Sequence, residues 1–516
     1  MRFIISNRRA GKLDESDRKA KRDDFDKQIS RSIAGSFNIL ADSAELPAAT
    51  EESRRMLFFE GDHAELLAKK SDFGTDAIIE PERPRTTLEY KVADFVSRAP
   101  GTDEVDIASA FPGGLTPVGT GATFDVKITG KGAPVKNATL TLVLISKASA
   151  QSVRELATVD DTGKASIAYD PSLWDPHLAV LEPVGGFWPI VISSPASGLE
   201  VNLPELPKSG PYAWWHGLVG STGYSEKRGE GIRLGVADTG FGPHPYLSHV
   251  KGIGAFIGGK HDPSADATRD SMTHGTHVTG TIGARPPEGS GDFGGIAAGA
   301  DLFVARVFEP NSLSNQGDIA NAIDELSGAC QVDLINMSLG GAYSDLEHDA
   351  ILAAQERGTL CICAAGNNFG GHVLFPGAYP QSVAISALGL VGVVPQGSAS
   401  YINIPTLPDR MTSVGLFLAN FSNIGPEITC IAPGNGIIST VPASADLPSP
   451  YFAMDGTSMA SPVATATLAA LLAGDPNYKN LPRTAERAAY AGAALRKKAQ
   501  SVGLSALYQG LGLTRM

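Results

Sequence analysis

Strand-like and helix-like runs alternate through the C-terminal half of this chain, and this alternation limits what the chain can fold into. Short apolar runs predict strands, and longer runs of helical periodicity between them predict helices. Alternation of this kind is typical of a parallel sheet with helices on its faces. The strands are expected at residues 232–237, 302–307, 332–337, 360–364 and 382–386, and the helices at 317–326 and 346–357.

Four short motifs lie among these elements. In chain order they are Ala237-Asp-Thr-Gly240, His274-Gly-Thr-His-Val278, Ala365-Gly-Asn367 and Gly456-Thr-Ser-Met-Ala-Ser-Pro462. Asp238 comes at the end of the first predicted strand, at the edge where α/β sheets place ligands. Ser458 comes at the start of a small, apolar run that predicts a buried helix, whose N-terminus favours developing negative charge. An Asp, a His and a Ser brought together are the groups that nucleophilic catalysis by serine requires.

Together the four motifs resemble those of the subtilisin-like serine proteases, or subtilases, whose triad follows the order Asp, His, Ser. The resemblance covers roughly Trp214 to the C-terminus and implies an α/β catalytic domain with a parallel sheet, which we expect at residues 210–516. It implies a serine endopeptidase with an acyl-enzyme intermediate, acting on protein or peptide substrates. It assigns the triad to Asp238, His274 and Ser458, and the side-chain donor of the oxyanion hole to Asn367.

The resemblance also implies a cleft in which an extended substrate peptide adds a strand to an exposed edge. It assigns that edge and the facing wall of the first substrate pocket to Ser338, Leu339, Gly340, Ala364, Ala365 and Gly366. An alternative for Leu339 is an ordinary core residue. An insertion at residues 389–420 is either a flap near this cleft or a surface excursion without a role.

A second Asp-Thr-Gly at residues 161–163 raises the alternative of an aspartic protease with paired carboxylates. It lies between two alternating runs, however, and this context predicts a hairpin turn. Asp161 is therefore interpreted as a turn residue.

His274 and His277, three residues apart, raise the alternative of a metal pair, but no Glu lies between them and no further ligand cluster is evident. Glu288 and Asp292 are two oxygen donors where calcium needs six or more. The sequence predicts neither a metal nor a cofactor, and His277 is interpreted as a packed neighbour.

The first 206 residues differ in pattern from the rest. Residues 1–50 are expected to be a charged arm, and residues 51–100 a small α/β region in which strands at 56–59 and 76–79 flank a helix at 62–71. This region resembles a subtilase propeptide and is a candidate intramolecular inhibitor. Residues 115–206 alternate with period two and predict a small all-β sandwich.

Composition limits the remaining choices. The net charge of -13 opposes binding to nucleic acid, and no run of 18 apolar residues is present to span a membrane. The start lacks the apolar stretch of a signal peptide, and the four cysteines predict no disulfide framework. A cytoplasmic protein is expected on these grounds, with secretion as the alternative.

Two functions from different classes stay open at this stage. The first is an active endopeptidase regulated or chaperoned by its N-terminal region. The second is a catalytically silent subtilase-fold binding or scaffold protein. A maturation cut between Leu203 and Trp214 is a further hypothesis, with Lys208-Ser-Gly-Pro211 as the candidate site.

Overall fold

The computed structural model describes residues 1–9, 15–33, 35–45, 54–69, 72–73, 77–91, 121–149, 151–270, 272–447 and 450–516. They form an N-terminal unit (residues 1–82), a cleft segment (83–91), a β unit (121–206) and a C-terminal domain (210–516). The predicted boundaries at residues 50, 51, 100 and 115 lie outside the described residues.

The N-terminal unit is a four-stranded antiparallel sheet with two helices on one face. Its elements are β1 (Arg2–Asn7), α1 (Glu15–Ser32), β2 (Asn38–Asp42), β3 (Met56–Glu60), α2 (His63–Lys69) and β4 (Ala77–Pro81). The strand order is β2-β3-β1-β4. Phe3 and Ile5 pack with the helices, whereas Ile4 and Phe58 on the other face pack against the C-terminal domain. Both faces of the sheet are buried, which explains why its central strands are continuous apolar runs.

The sequence predicted a separate charged arm at residues 1–50, whereas β1 and β2 of this range belong to the sheet. The apolar run Phe3 to Ile5 lies in the central strand β1, paired with both β3 and β4. A three-residue run gives no periodicity by itself, and its partners lie some 50 to 80 residues away. Only the tertiary structure identifies it as a strand.

The cleft segment contains one short strand, β5 (Pro84–Thr87). It lies between two strands of the C-terminal domain, β18 (Ser314–Asn315) and β20 (Leu339–Gly341), and is antiparallel to both.

The β unit consists of two four-stranded sheets packed around a shared apolar core. Its strands are β6 (Ala122–Gly130), β7 (Ala133–Pro134), β8 (Thr139–Ser146), β9 (Ser152–Thr158), β10 (Lys164–Tyr169), β11 (Trp174–Glu182), β12 (Ile190–Ser193) and β13 (Leu199–Asn202). Alternate residues of β6 and β8 point into this core, as a period of two requires. One pairing, β13 with β6, is parallel.

Residues 160–163 form a tight turn, in which the Asp160 carboxylate accepts from Thr162 N and Lys164 N. The turn does not close a hairpin, because β9 pairs with β8 whereas β10 pairs with β6 in the other sheet. The hairpin predicted around Asp161 is thus corrected to a crossing between sheets. Asx turns and a left-handed Gly163 serve both connections equally well, so local sequence does not distinguish them.

The C-terminal domain is built on one mixed eleven-stranded sheet with helices on both faces. Its sheet order is β16-β15-β17-β14-β19-β21-β22-β24-β28-β27, with β23 paired to β22. Those strands are β14 (Arg233–Asp238), β15 (Lys251–Ile257), β16 (Lys260–Asp262), β17 (Asp301–Arg306), β19 (Leu334–Met337), β21 (Leu360–Ala364), β22 (Val383–Leu390), β23 (Leu416–Leu418), β24 (Ile428–Pro433), β27 (Ala499–Gln500) and β28 (Leu513–Thr514). A separate hairpin is formed by β25 (Ile437–Thr440) and β26 (Tyr451–Met454).

The helices of this domain are α3 (Trp214–Leu218), α4 (His274–Gly283), α5 (Gln316–Ser327), α6 (Asp345–Glu356), α7 (Thr457–Ala473), α8 (Pro476–Lys479), α9 (Ala485–Lys498) and α10 (Ala506–Gln509). The central strands are parallel, whereas β16, β23 and β27 are antiparallel additions. The sheet is therefore mixed, where the sequence predicted a parallel one.

Buried charge holds the N-terminal unit against α5 and α6. Arg54 Nε lies 2.6 Å from Asp324, and its Nη1 lies 2.6 Å from Asp349. Glu80 accepts from the backbone N–H of Asp345 and from the Ser344 hydroxyl, at the N-terminus of α6. A carboxylate at a helix N-terminus satisfies donors that the helix leaves free.

The β unit docks through apolar packing and backbone hydrogen bonds. Trp188 is 3% exposed and belongs to the same apolar cluster as Tyr451 and Val394 of the C-terminal domain. Gly186 N donates to Tyr451 O, and Val191 N donates to Gly397 O. Gly397 lies in the insertion at residues 389–420, so this insertion contacts the β unit.

Candidate active site

Asp238 and His274 meet at the carboxyl end of β14. Asp238 is the last residue of that strand and His274 the first of α4, and the His274 Nδ1–H donates to Asp238 Oδ1 over 2.6 Å. Burial by itself would lower the pKa of His274, but the carboxylates of Asp238, Glu89 and Asp270, Asp238 foremost, together outweigh it and the pKa is raised. His274 Nε2 has no hydrogen-bond partner among the described residues. The pair is thus an imidazole oriented by a carboxylate, the arrangement of a general base.

Ser458 occupies the first turn of α7 and is hydrogen-bonded to Ser338, the residue between β19 and β20. Pro462 lacks the N–H that would bond the Ser458 carbonyl, and the Ser338 hydroxyl donates to that carbonyl over 2.8 Å instead. The Ser458 hydroxyl donates to the Ser338 carbonyl over 2.9 Å. To pass its proton to His274, the hydroxyl must turn away from Ser338.

The cleft segment places a peptide carbonyl next to these groups. The Leu88 carbonyl accepts from Asn367 Nδ2 over 2.5 Å and from Ser458 N over 3.2 Å. Leu88 N donates to Ser338 O over 3.2 Å, and Tyr90 N donates to Asp455 O over 2.7 Å. Two donors on one carbonyl oxygen beside a serine are the geometry of an oxyanion hole.

The residues expected to form the substrate edge surround this segment. Leu339 pairs with Thr87 and Gly340 with Thr86, while the Leu339 side chain belongs to the apolar core. A Cβ at Gly340 would lie 3.0 Å from Leu88 and 3.1 Å from Leu374. The Leu88 side chain, 4% exposed, therefore packs against Gly340 where a larger residue would exclude it.

The facing wall is buried and tightly organised. Ala364 ends β21, and Ala365 O accepts from Leu374 N. Gly366 has φ +114, and a Cβ there would come within 2.2 Å of the Asn423 amide and 3.1 Å of Leu374. Only glycine fits this position without strain. Leu374 is the wall residue that the motifs do not reveal.

Comparison with protein families matches residues 229–512 to the Subtilase family. This stretch is more than half of the chain and contains Asp238, His274, Asn367 and Ser458. The chain belongs to the subtilase family. The matched domain is a subtilisin-like serine endopeptidase domain.

Similar subtilases include proteins named for extracellular and for intracellular proteolysis. The chain is 33% identical to the minor extracellular protease Epr of Bacillus subtilis over 52% of its own length and 35% of that protein. It is 29% identical to subtilisin Savinase of Lederbergia lenta, over 49% of its own length and 80% of that protein. It is 32% identical to the major intracellular serine protease of Bacillus subtilis, over 52% and 76%. The chain thus spans about a third of the length of Epr and most of the other two.

No helix in the described part of the chain is both long and apolar enough to cross a bilayer. Within the same residues, no group of three or more His, Cys, Asp and Glu side chains is arranged to hold a metal ion. His277 is buried with Nε2 2.9 Å from Ile437 O, and burial lowers its pKa to about 3.

Several residues hold the side chains of this subtilase site in place although they are not among the site residues predicted from the sequence. Thr457 donates to Asn367 Oδ1 from both its backbone N–H and its hydroxyl, which turns the amide nitrogen toward Leu88. Thr239 accepts from Gly275 N and donates to Asp270, tying β14 to α4. Thr457 and Thr239 lie inside the sequence motifs, next to Ser458 and Asp238. Their position in the sequence could therefore have identified them.

The cleft segment itself had no motif. Its β-prone Arg85-Thr-Thr-Leu88 between Pro84 and Glu89 predicts at most an extended stretch. The sequence-based division placed it inside the propeptide-like region without a separate role. Its position in the cleft appears only in the folded chain.

Proposed function

We propose that this chain is a serine endopeptidase that is held in check by its own N-terminal residues and cuts itself after Leu88. The observation that carries the proposal is the Leu88 carbonyl, bonded by both Asn367 Nδ2 and Ser458 N. A carbonyl held in this way is polarised beside a serine hydroxyl and an oriented imidazole. Asp238, His274 and Ser458 act as the triad in this proposal.

The reaction follows from these positions. The Ser458 hydroxyl oxygen attacks the Leu88 carbonyl carbon while its proton passes to His274 Nε2. The resulting oxyanion is stabilised by Asn367 and by the Ser458 N–H. As the intermediate collapses, the Leu88–Glu89 bond breaks, and His274 donates the proton to the Glu89 amine. Water, deprotonated by His274, then hydrolyses the acyl-enzyme and releases the Leu88 carboxylate.

Control by the N-terminal unit follows from the same contacts. The cleft segment is hydrogen-bonded on both sides, by β18 and β20, so substrate peptides are excluded while it stays in place. The N-terminal unit adds its buried ion pairs with α5 and α6 to this contact. After the cut, residues 1–88 inhibit until they dissociate, and residues 89–516 carry the activity toward other protein or peptide substrates.

The cut after Leu88 replaces the earlier hypothesis of a cut between Leu203 and Trp214. Gly210 N bonds Gly291 O over 2.8 Å, and a Cβ at Gly210 would overlap Asp292 O. The candidate segment at residues 208–211 is thus engaged with the loop before Phe293. Retention of the β unit on the active enzyme is part of the proposal. No observation favours the alternative of a silent binding or scaffold protein.

The test is intact mass of the purified full-length protein and of its Ser458→Ala variant, before and after a fluorophosphonate probe. We expect the wild type to lose the mass of residues 1–88 and, once these residues have dissociated on dilution, to carry one probe adduct. The variant should keep its full mass and stay unlabelled, because removing the nucleophile of a subtilisin costs roughly 10⁶-fold in rate. Cleavage near residue 208 would refute the site, and a wild type that neither labels nor shortens would refute the activity.

A further inference from the structure

We propose that the cleft selects substrates with arginine at the fourth residue before the cut bond, and that Glu347 is the residue that recognises it. The inference rests on the proposed function and names its substrate class. Arg85 is the fourth residue back from the Leu88–Glu89 bond. Its contacts describe a pocket that a substrate side chain would enter.

The Arg85 guanidinium forms a fork-to-fork pair with Glu347. Arg85 Nε lies 3.2 Å from Glu347 Oε1, and Nη2 lies 2.8 Å from Oε2. Both side chains are 0% exposed. Parallel bonds of this kind match the planar guanidinium better than the single ammonium of lysine.

The backbone around the pair leaves room for this side chain and for little else. A Cβ at Gly341 would lie 2.9 Å from Arg85 Nη1 and 3.0 Å from its Cδ. Arg85 Nη1 also donates to the Pro84 carbonyl over 3.1 Å. Because glycine has no side chain, Gly341 leaves a passage from the cleft to α6.

Glu347 is fixed on the C-terminal domain, independently of the N-terminal residues. It lies in the first turn of α6, and its backbone N–H donates to the Ser344 hydroxyl. The Tyr379 hydroxyl lies 3.4 Å from Glu347 Oε2. No second Lys or Arg is ion-paired with Glu347 among the described residues. When residues 1–88 leave, the carboxylate therefore stays in the wall of the cleft without its cation.

A carboxylate in a confined pocket is costly to leave unpaired, and an arriving guanidinium restores its bonds. The register of the cleft strand should give a bound substrate peptide the same contact with Glu347. Leu88 N and Ser338 O fix the residue before the cut, and Gly341 pairs with Arg85. Any peptide whose carbonyl occupies the same donors brings its fourth residue back to Glu347.

The experiment uses the purified full-length protein after it has processed itself and has been diluted until residues 1–88 dissociate, with active sites counted by fluorophosphonate. The substrates are quenched fluorescent peptides built on Arg-Thr-Thr-Leu-Glu-Tyr, with arginine, citrulline, lysine or leucine in the first position. Citrulline keeps the shape of arginine and removes the charge. We expect kcat/KM for arginine to exceed that for citrulline by about 30-fold or more, with lysine between them.

Two variants assign the effect to Glu347. Glu347→Gln should reduce the arginine-to-citrulline ratio to within about threefold. The matched control is Asp345→Asn, which makes the same change of charge at an exposed residue of the same helix. Its ratio should equal that of the wild type.

The outcomes separate the two proposals. If the wild type cleaves the arginine and citrulline peptides equally well, the inference is overturned and the proposed function stands. If it cleaves none of them and does not react with fluorophosphonate, the proposed function fails. Should Glu347→Gln not mature, the wild-type comparison of arginine with citrulline decides alone. The apolar pair Arg85→Leu with Glu347→Leu should then mature and prefer the leucine peptide.

Discussion

The N-terminal unit and the β unit both pack on the C-terminal domain, but they use different chemistry. The N-terminal unit adds buried charges to its apolar face, with Arg54 between Asp324 and Asp349 and Glu80 at the start of α6. The β unit joins its apolar cluster to the core of the C-terminal domain through Trp188 and adds backbone bonds. Charge pairs respond to pH because their carboxylates can be protonated, whereas apolar burial has no group that titrates. The interface of the N-terminal unit is therefore suited to release, and the interface of the β unit to permanent attachment.

The largest effect is expected from Arg54→Ala. The change removes the buried guanidinium that pairs with both Asp324 and Asp349, whereas Arg357 stays paired with Asp324, and we expect it to weaken binding of the N-terminal unit by about 4 kcal/mol. Size-exclusion chromatography of the processed protein measures it: residues 1–88 should co-elute with residues 89–516 in the wild type and separate in the variant. Arg2→Ala is the control, since Arg2 is 61% exposed. Co-elution in both variants would mean that the charges do not hold the unit.

Trp188→Ala tests the other interface. Truncation of a buried tryptophan costs about 3 kcal/mol where the cavity can partly collapse, as at an interface between units. Urea unfolding of the Ser458→Ala protein, which cannot digest itself, should show this loss. Leu156→Ala, at a 65% exposed residue of the same unit, should unfold as the parent does. An unchanged urea midpoint for Trp188→Ala would mean that apolar burial at Trp188 does not hold the β unit, and the contrast between the two interfaces would fail.

Acid should release the N-terminal unit from the C-terminal domain while the β unit stays docked. Burial alone would raise the pKa of Asp324, but Arg54 and its neighbours lower it well below its usual range. The part of this lowering that comes from Arg54 stabilises the bound state while Asp324 is ionised, and this contribution is lost as the pH falls and the carboxylate is protonated. Burial raises the pKa of Glu80, which opposes this trend.

We expect a net weakening of more than about 1 kcal/mol for the N-terminal unit between pH 5 and pH 3. The fraction of residues 1–88 that co-elutes is the readout, and Asp324→Asn should flatten its pH dependence. Residues 121–206 stay covalently joined to the C-terminal domain, so docking of the β unit is read from the tryptophan emission of residues 89–516, which should not shift to the red between the two pH values because Trp188 stays buried. A red shift at the pH at which residues 1–88 separate would contradict the comparison.

The smallest effect is expected from Lys136→Ala. Lys136 lies 3.6 Å from Asp446, with both side chains about half exposed or more. Exposed pairs contribute little, so urea unfolding should change by less than about 0.5 kcal/mol. A larger loss would mean that charge also matters at the interface of the β unit.

The sequence predicted what is local and missed what depends on distant partners. The strand that ends at Asp238 and the helix that starts near Ser458 follow from apolar runs next to polar motifs, and both are present. The family resemblance assigned Ser338 to the substrate edge, but it did not predict the bond between the Ser338 hydroxyl and the Ser458 carbonyl that Pro462 leaves free. The strand at Phe3 to Ile5 and the sheet crossing at Asp160 depend on pairing that no window of sequence contains.

The cleft segment is the sharpest example. Nothing in its composition distinguishes Leu88 from other leucines in extended stretches, and its role depends on Asn367 lying 279 residues further along the chain. Likewise, Arg85 and Glu347 are 262 residues apart, and each would be expected at the surface in the absence of the other.

The position of β5 between β18 and β20 has one more consequence. A backbone flanked on both sides has neither edge left for structure of its own. A polypeptide that threads this gap as the cleft segment does must first give up any helix or sheet over those residues. Selection would then begin with local unfolding: a stable globular protein would expose few such stretches, while nascent, damaged or loosely folded chains would expose many.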